Sequence, residues 1–121
     1  MLKDTFFTIL SSNGIENGSV YRIALNGSHI IFKAHFAGNP IMPGSCILQM
    51  IKELASEYFE WKFFICSVKN MKFLHAVIPS ESPEIFVQLT FNQQEDGRIK
   101  VTALLYDSDK IYTKSALLLK K

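Results

Sequence analysis

The sequence predicts an α+β fold in which a curved antiparallel sheet of about six strands wraps around one long central helix. Three observations carry this. The segment from Ser45 to about Glu60 repeats apolar residues at helical spacing. Nearly everything after it falls into strand-length alternating pieces separated by turn residues. A hairpin-like stretch precedes it, so the helix sits between a leading hairpin and a trailing set of strands. A chain of 121 residues with 48% apolar content, ten of them Phe, is sized for one domain, 1–121, whose core needs no staples.

Leu2 to Leu10 is apolar and suits a short helix or a strand. "SSNGIENGS" reads as a loop because of its Asn-Gly and Gly-Ser pairs. Ser19 to Leu25 alternates, with Tyr21, Ile23 and Leu25 on one face. Asn26-Gly27 is a hairpin signal, and His29 to Ala34 reads as the returning strand, with Ile30, Phe32 and Ala34 on one face. Gly38-Asn39-Pro40 forms a turn and Pro43-Gly44 a second break.

In the helix, Ile47, Met50, Ile51, Leu54, Tyr58 and Phe59 form the apolar sector, and Gln49, Lys52, Glu53, Ser56, Glu57 and Glu60 occupy the rest. At 1.5 Å per residue it is roughly 24 Å long. Its wide apolar sector suits cover by a curved sheet. Phe63 to Val77 is long for one strand and changes phase: Phe64, Cys66 and Val68 are even, Met71, Phe73 and His75 odd. A bulge or bend near Lys69-Asn70 accounts for that. After the "IPSESP" turn, Glu84 to Asn92 alternates, with Ile85, Val87, Leu89 and Phe91 on one face. "QEDG" is a hairpin turn, and "DSD" joins Arg98–Tyr106 to Lys110–Leu119. Three consecutive strands favour an antiparallel meander.

A net charge of +2 with scattered basic residues argues against nucleic-acid binding, which needs a basic stripe. Two cysteines, Cys46 and Cys66, without a secretion signal are expected to stay reduced. No spacing suggests a metal site, and no cofactor is implied. The N-terminal apolar run is too short for a signal peptide or membrane span, so the expected location is the cytoplasm.

The stretch "HFAGNPIMPG", His35 to Gly44, carries the chemistry. A helix start leaves backbone N–H groups unpaired, here those of Gly44, Ser45 and Cys46. With the helix dipole they favour developing negative charge. Pro43 suits the first helical position, and Gly44 lets a ligand approach the backbone. A base, His35, and an oxyanion site at Gly44 would flank one small volume, the equipment for removing a proton α to a carbonyl. The competing reading is a surface histidine in an ordinary Pro/Gly loop.

"HFAGNPIMPGSCILQMIKEL" resembles the active-site segment of the 3-hydroxyacyl-(acyl carrier protein) dehydratases of the FabZ/FabA type. His35, Phe36, Gly38, Pro40, Ile41, Pro43 and Gly44 match at the family's spacing, and "VKNMKFLHAVIPSESPEIFVQLTF" resembles its strand, turn and strand. The resemblance spans roughly residues 18 to 121. It implies the hot-dog fold, dimerisation through one continuous sheet, and an acyl carrier protein or coenzyme A thioester as substrate in fatty acid or polyketide-type biosynthesis. It assigns α-proton abstraction to His35, carbonyl polarisation to the Gly44 N–H, and orientation of the histidine to the Ile41 carbonyl. Phe36, Met42, Pro43 and Ser45 complete the expected substrate-binding set; Phe32, Phe36, Met42 and Met71 are candidate tunnel residues, which core packing explains equally well.

The family's helix carboxylate, contributed by the other protomer, lies fourteen residues after the histidine, where this chain has Gln49. Three readings follow. The chain is a dehydratase in which the His35 imidazolium returns its proton while Gln49 donates a hydrogen bond. Alternatively, it is a weak or inactive acyl-thioester-binding subunit paired with an active homologue, as a heterodimer rather than a homodimer. Or it is a hot-dog thioesterase. Glu53, one helical turn on, is a possible substitute acid, weighed against membership of a solvated face. His29 and His75 read as structural or surface residues. Cys46, in the first helical turn, reads as a buried thiol rather than one activated by the dipole.

Overall fold

In the computed structural model, which describes residues 2–34 and 41–121, six strands, one short helix and one long helix follow in the order β1 (Phe7–Ile15), β2 (Gly18–Leu25), α1 (Ile30–Ala34), α2 (Gly44–Phe59), β3 (Phe64–Phe73), β4 (Glu84–Gln93), β5 (Ile99–Tyr106) and β6 (Ile111–Lys120). The strands form one sheet in the order β1-β2-β4-β5-β6-β3, every neighbouring pair antiparallel. The last three strands form the expected meander, and β3 crosses to the far edge beside β6.

The alternating residues face where their period requires. Tyr21, Ile23 and Leu25 of β2, and Ile85, Val87, Leu89 and Phe91 of β4, are all buried. With Val101, Ala103, Leu105, Leu117 and Leu119 they form one core with Ile47, Met50, Ile51 and Leu54 of α2. Two departures refine the helix pattern. Tyr58, expected in the apolar sector, is exposed, whereas Glu53, expected among the polar remainder, is only 7% exposed. The helix stops at Glu60, which takes a left-handed φ of 54° and returns its N–H to the Ser56 carbonyl.

The leading hairpin differs from expectation. "SSNGIENGS" is largely strand, because Ile15 pairs with Gly18 and only Glu16-Asn17 turn. Asn17 supplies the positive φ, 57°, that the turn needs. At Gly18 a Cβ would lie 1.9 Å from the Leu89 carbonyl oxygen, so only glycine permits β4 to approach there. Asn26-Gly27 does not return a strand. His29 accepts a hydrogen bond from the Ile31 N–H at its Nδ1 (3.1 Å), capping α1 where a strand was expected. Phe32 is buried and stacks on Phe6 at 4.7 Å between ring centroids, so packing selects the turn of helix. Of 63–77 only Phe64–Phe73 is strand, and its register shifts between Ile65 and Ser67 and again between Val68 and Asn70. The second shift is the expected bulge.

Candidate functional site

The start of α2 is held from both sides. Met42 donates its N–H to the Val77 carbonyl at 2.8 Å, tying the pre-helix segment to the chain that leaves β3. Pro43 is the N-cap, with φ −65° and ψ 148°, so it stands one position before the first helical residue that its ring would also suit. Its carbonyl accepts from Cys46 (3.0 Å) and Ile47 (3.1 Å). The Cys46 N–H, expected to be open, is therefore occupied. Gly44 and Ser45 are the first two helical residues, and no side chain caps the helix, so their N–H groups are the open donors. Burial pushes the Cys46 thiol up in pKa and outweighs the opposing bond from Ser45, which leaves it an inert core residue.

Gly44 opens into a cavity of about 430 Å³. The expected residues Ile41, Met42 and Pro43 line it, with Ile47, Phe73 and Val77. The Phe73 ring lies so close to Gly44 that a Cβ there would meet its Cζ at 2.9 Å. Ser45 is exposed and is not part of this wall. Among the lining residues that the sequence does not assign to a site are two polar ones: His75, exposed just after β3, and Thr113 of β6, fully buried. The pairing of Phe73 with Thr113 across β3 and β6 brings Thr113 under the helix start, a contact no local pattern encodes. His35 and Phe36 lie outside the described residues, as do Gly38 and Pro40.

Gln49 points elsewhere. It follows Gly44 by five residues, a rotation of about 140° around the axis. It lines a second cavity of about 500 Å³ with Lys3, Lys52, Glu53, Ser56, Glu57 and Trp61. Its Nε2 donates to the Glu53 carboxylate at 2.8 Å. The same carboxylate accepts the Leu2 N–H at 2.8 and 3.0 Å and the Lys3 N–H at 2.8 Å. Burial alone would push the Glu53 carboxyl up, but these donors outweigh it and hold the group below its ordinary value. Glu53 is thus neither on a solvated face nor readily protonated; it clasps the N-terminal segment to α2 and fixes the Gln49 amide. Among the described residues, no group of three or more His, Cys, Asp or Glu is placed to hold a metal, and no helix is long and apolar enough to cross a membrane.

Comparison with known proteins agrees with this architecture. A dehydratase heterocomplex, ApeI:P from Xenorhabdus doucetiae, contains a chain that superposes with a TM-score of 0.68 at 16% identity, covering 94% of this chain and 97% of that one. The fold is the hot-dog fold that the resemblance implied. A 3-hydroxyacyl-[acyl-carrier-protein] dehydratase FabZ of Levilactobacillus brevis is 30% identical over 79 residues, 60% of this chain and 53% of that protein. The FabZ of Legionella pneumophila strain Lens is 28% identical over 111 residues, 81% of this chain and 73% of that protein. The matched stretch thus spans about half the length of some curated relatives and nearly three quarters of others. The family model described as ApeI dehydratase matches residues 12–113, from β1 through the helix start and its cavity into β6. The chain belongs to the ApeI-like dehydratase family.

Proposed function

We propose that the chain dehydrates 3-hydroxyacyl-(acyl carrier protein) to the trans-2-enoyl thioester. The observation that carries the reading is the open Gly44 N–H at the α2 N-terminus, facing a largely apolar cavity on the segment that begins at His35. The thioester carbonyl accepts from Gly44, where the helix dipole favours the enolate charge. His35 takes a proton from C2. The electron pair forms the C2–C3 double bond, the C3–O bond breaks, and the imidazolium returns its proton to the departing hydroxyl as water. Gly44→Ala tests the donor. A Cβ there meets only the Phe73 ring, so the expected stability cost is about 1–3 kcal/mol. The methyl group fills the space beside the N–H, so kcat/KM is expected to fall about tenfold or more.

Gln49 acts in this reading from a second subunit, because it and Gly44 open into different cavities of one chain. A dimer is supported by β3, an edge strand that carries exposed Phe64, Val68 and Phe73. A second copy of this chain gives a homodimer. A paired reading, in which an active homologue supplies the acid, is favoured by the amide at position 49 and by the heterocomplex description of the ApeI:P relative. One variant separates the two. Gln49→Glu combined with Glu53→Gln exchanges amide and acid while keeping a hydrogen bond between them. If the chain works alone, the wild type dehydrates and the exchange raises its rate, by up to about 10²-fold. A wild type that is inert alone and gains activity on exchange supports the paired reading. An inert exchange variant that still folds and dimerises counts against both.

A further inference from the structure

The cavity beside Gly44 is apolar along most of its wall, with Ile41, Met42, Pro43, Ile47, Phe73 and Val77. Thr113 interrupts it. The residue is 0% exposed, and its hydroxyl is buried without a hydrogen-bond partner. Buried hydroxyls nearly always find a partner, so an unpaired one on a residue of the cavity wall points to a place where a bound molecule completes the bond. Two other buried hydroxyls, Ser67 and Ser115, also lack partners, but neither lines this cavity.

Resting on the acyl-thioester reading above, we propose that Thr113 is a specificity residue that selects acyl groups bearing an oxygen function along the chain. The pantetheine arm reaches the site from solvent, so the part of the substrate that meets a fully buried residue is the acyl group. A plain hydrocarbon chain leaves the Thr113 hydroxyl unpaired, as it is in the free protein, and gains nothing from it. A carbonyl or hydroxyl on the chain accepts from or donates to it. Discrimination of this kind comes from the bond gained by the oxygenated ligand.

The test is binding of saturated pantetheine thioesters, which have no 3-hydroxyl to eliminate. Hexanoyl pantetheine is compared with its 4-oxo, 5-oxo and 6-hydroxy analogues by calorimetry on the full chain. The wild type is expected to bind at least one oxygenated analogue about tenfold more tightly than hexanoyl. In Thr113→Val, a near-isosteric change, that preference is expected to fall to about unity, with hexanoyl binding about as tightly as to the wild type. Ser115→Ala removes an unpaired hydroxyl outside the cavity and is expected to keep the preference. The free Thr113→Val protein is also expected to melt a few degrees higher, because an unpartnered polar group has been removed. Equal binding of all four thioesters by the wild type, or a preference that survives in Thr113→Val, overturns the inference and leaves the dehydratase reading standing. A lower Tm for Thr113→Val also overturns it, since the hydroxyl is then already satisfied. Failure of every thioester to bind overturns both readings together.

Discussion

Replacing His35 with alanine is expected to lower the dehydration rate by about 10²–10⁴-fold, the usual contribution of a general acid–base group. The loss should appear in kcat with KM little changed, because Gly44 and the apolar wall, which bind the thioester in the proposed reading, remain intact. The imidazole has two tasks in this reading, taking the C2 proton and returning it to the hydroxyl, and an amide at position 49 cannot assume the second. The loss should therefore be larger than in an enzyme where acid and base are separate groups. Steady-state kinetics of the variant decide it: a kcat within threefold of wild type removes His35 from the chemistry.

The second large effect is on stability. Glu53→Ala is expected to destabilise the protein by about 2–4 kcal/mol. One buried carboxylate receives the Leu2 and Lys3 N–H groups and the Gln49 amide, so its removal leaves donors on two segments unpaired. The N-terminal segment it holds precedes Phe6 and Phe7, both almost fully buried. Urea unfolding measures the loss, and a change below 0.5 kcal/mol would show that the clasp does not form. Acidity gives an independent reading. The folded carboxyl lies below its ordinary value of 4.5, so its stabilisation is fully present above that pH. It is lost as pH falls from there through the folded value. Wild-type stability should drop in that acidic window, and Glu53→Gln, which has no proton to gain, should show a shallower drop.

Periodicity made the sheet readable. β2, β4 and the central helix are long, their apolar residues repeat cleanly, and their boundaries fall within a residue or two of expectation. The bulge in β3 was legible as a phase shift, since an inserted residue flips every later side chain. The leading hairpin was not. Three Asn-Gly pairs, at 13–14, 17–18 and 26–27, carry the same local turn signal. Only the pair at 17–18 lies at the hairpin turn, because tertiary packing chooses among them. There β4 closes on Gly18, while Phe32 draws the stretch after Gly27 into a helical turn on Phe6.

At the site, the helix start and Gly44 could be read from the Pro-Gly break and the periodic run behind it. Glu53 was misread as part of a solvated face because its partners are backbone N–H groups some fifty positions away. Thr113 and His75 were missed because they reach the cavity through strand register and the path of the chain after β3. His75 had been read as structural or surface; it is exposed, and it stands at the cavity.

The most direct test is to incubate a 2-enoyl thioester with the wild type in D₂O and follow the products by mass spectrometry. Reversible dehydration predicts a 3-hydroxyacyl thioester carrying one deuterium at C2, delivered through His35 and absent from the His35→Ala reaction. Unchanged substrate with the protein alone and with any homologue found to pair with it, or free thiol released by hydrolysis of the thioester, would contradict the dehydratase reading.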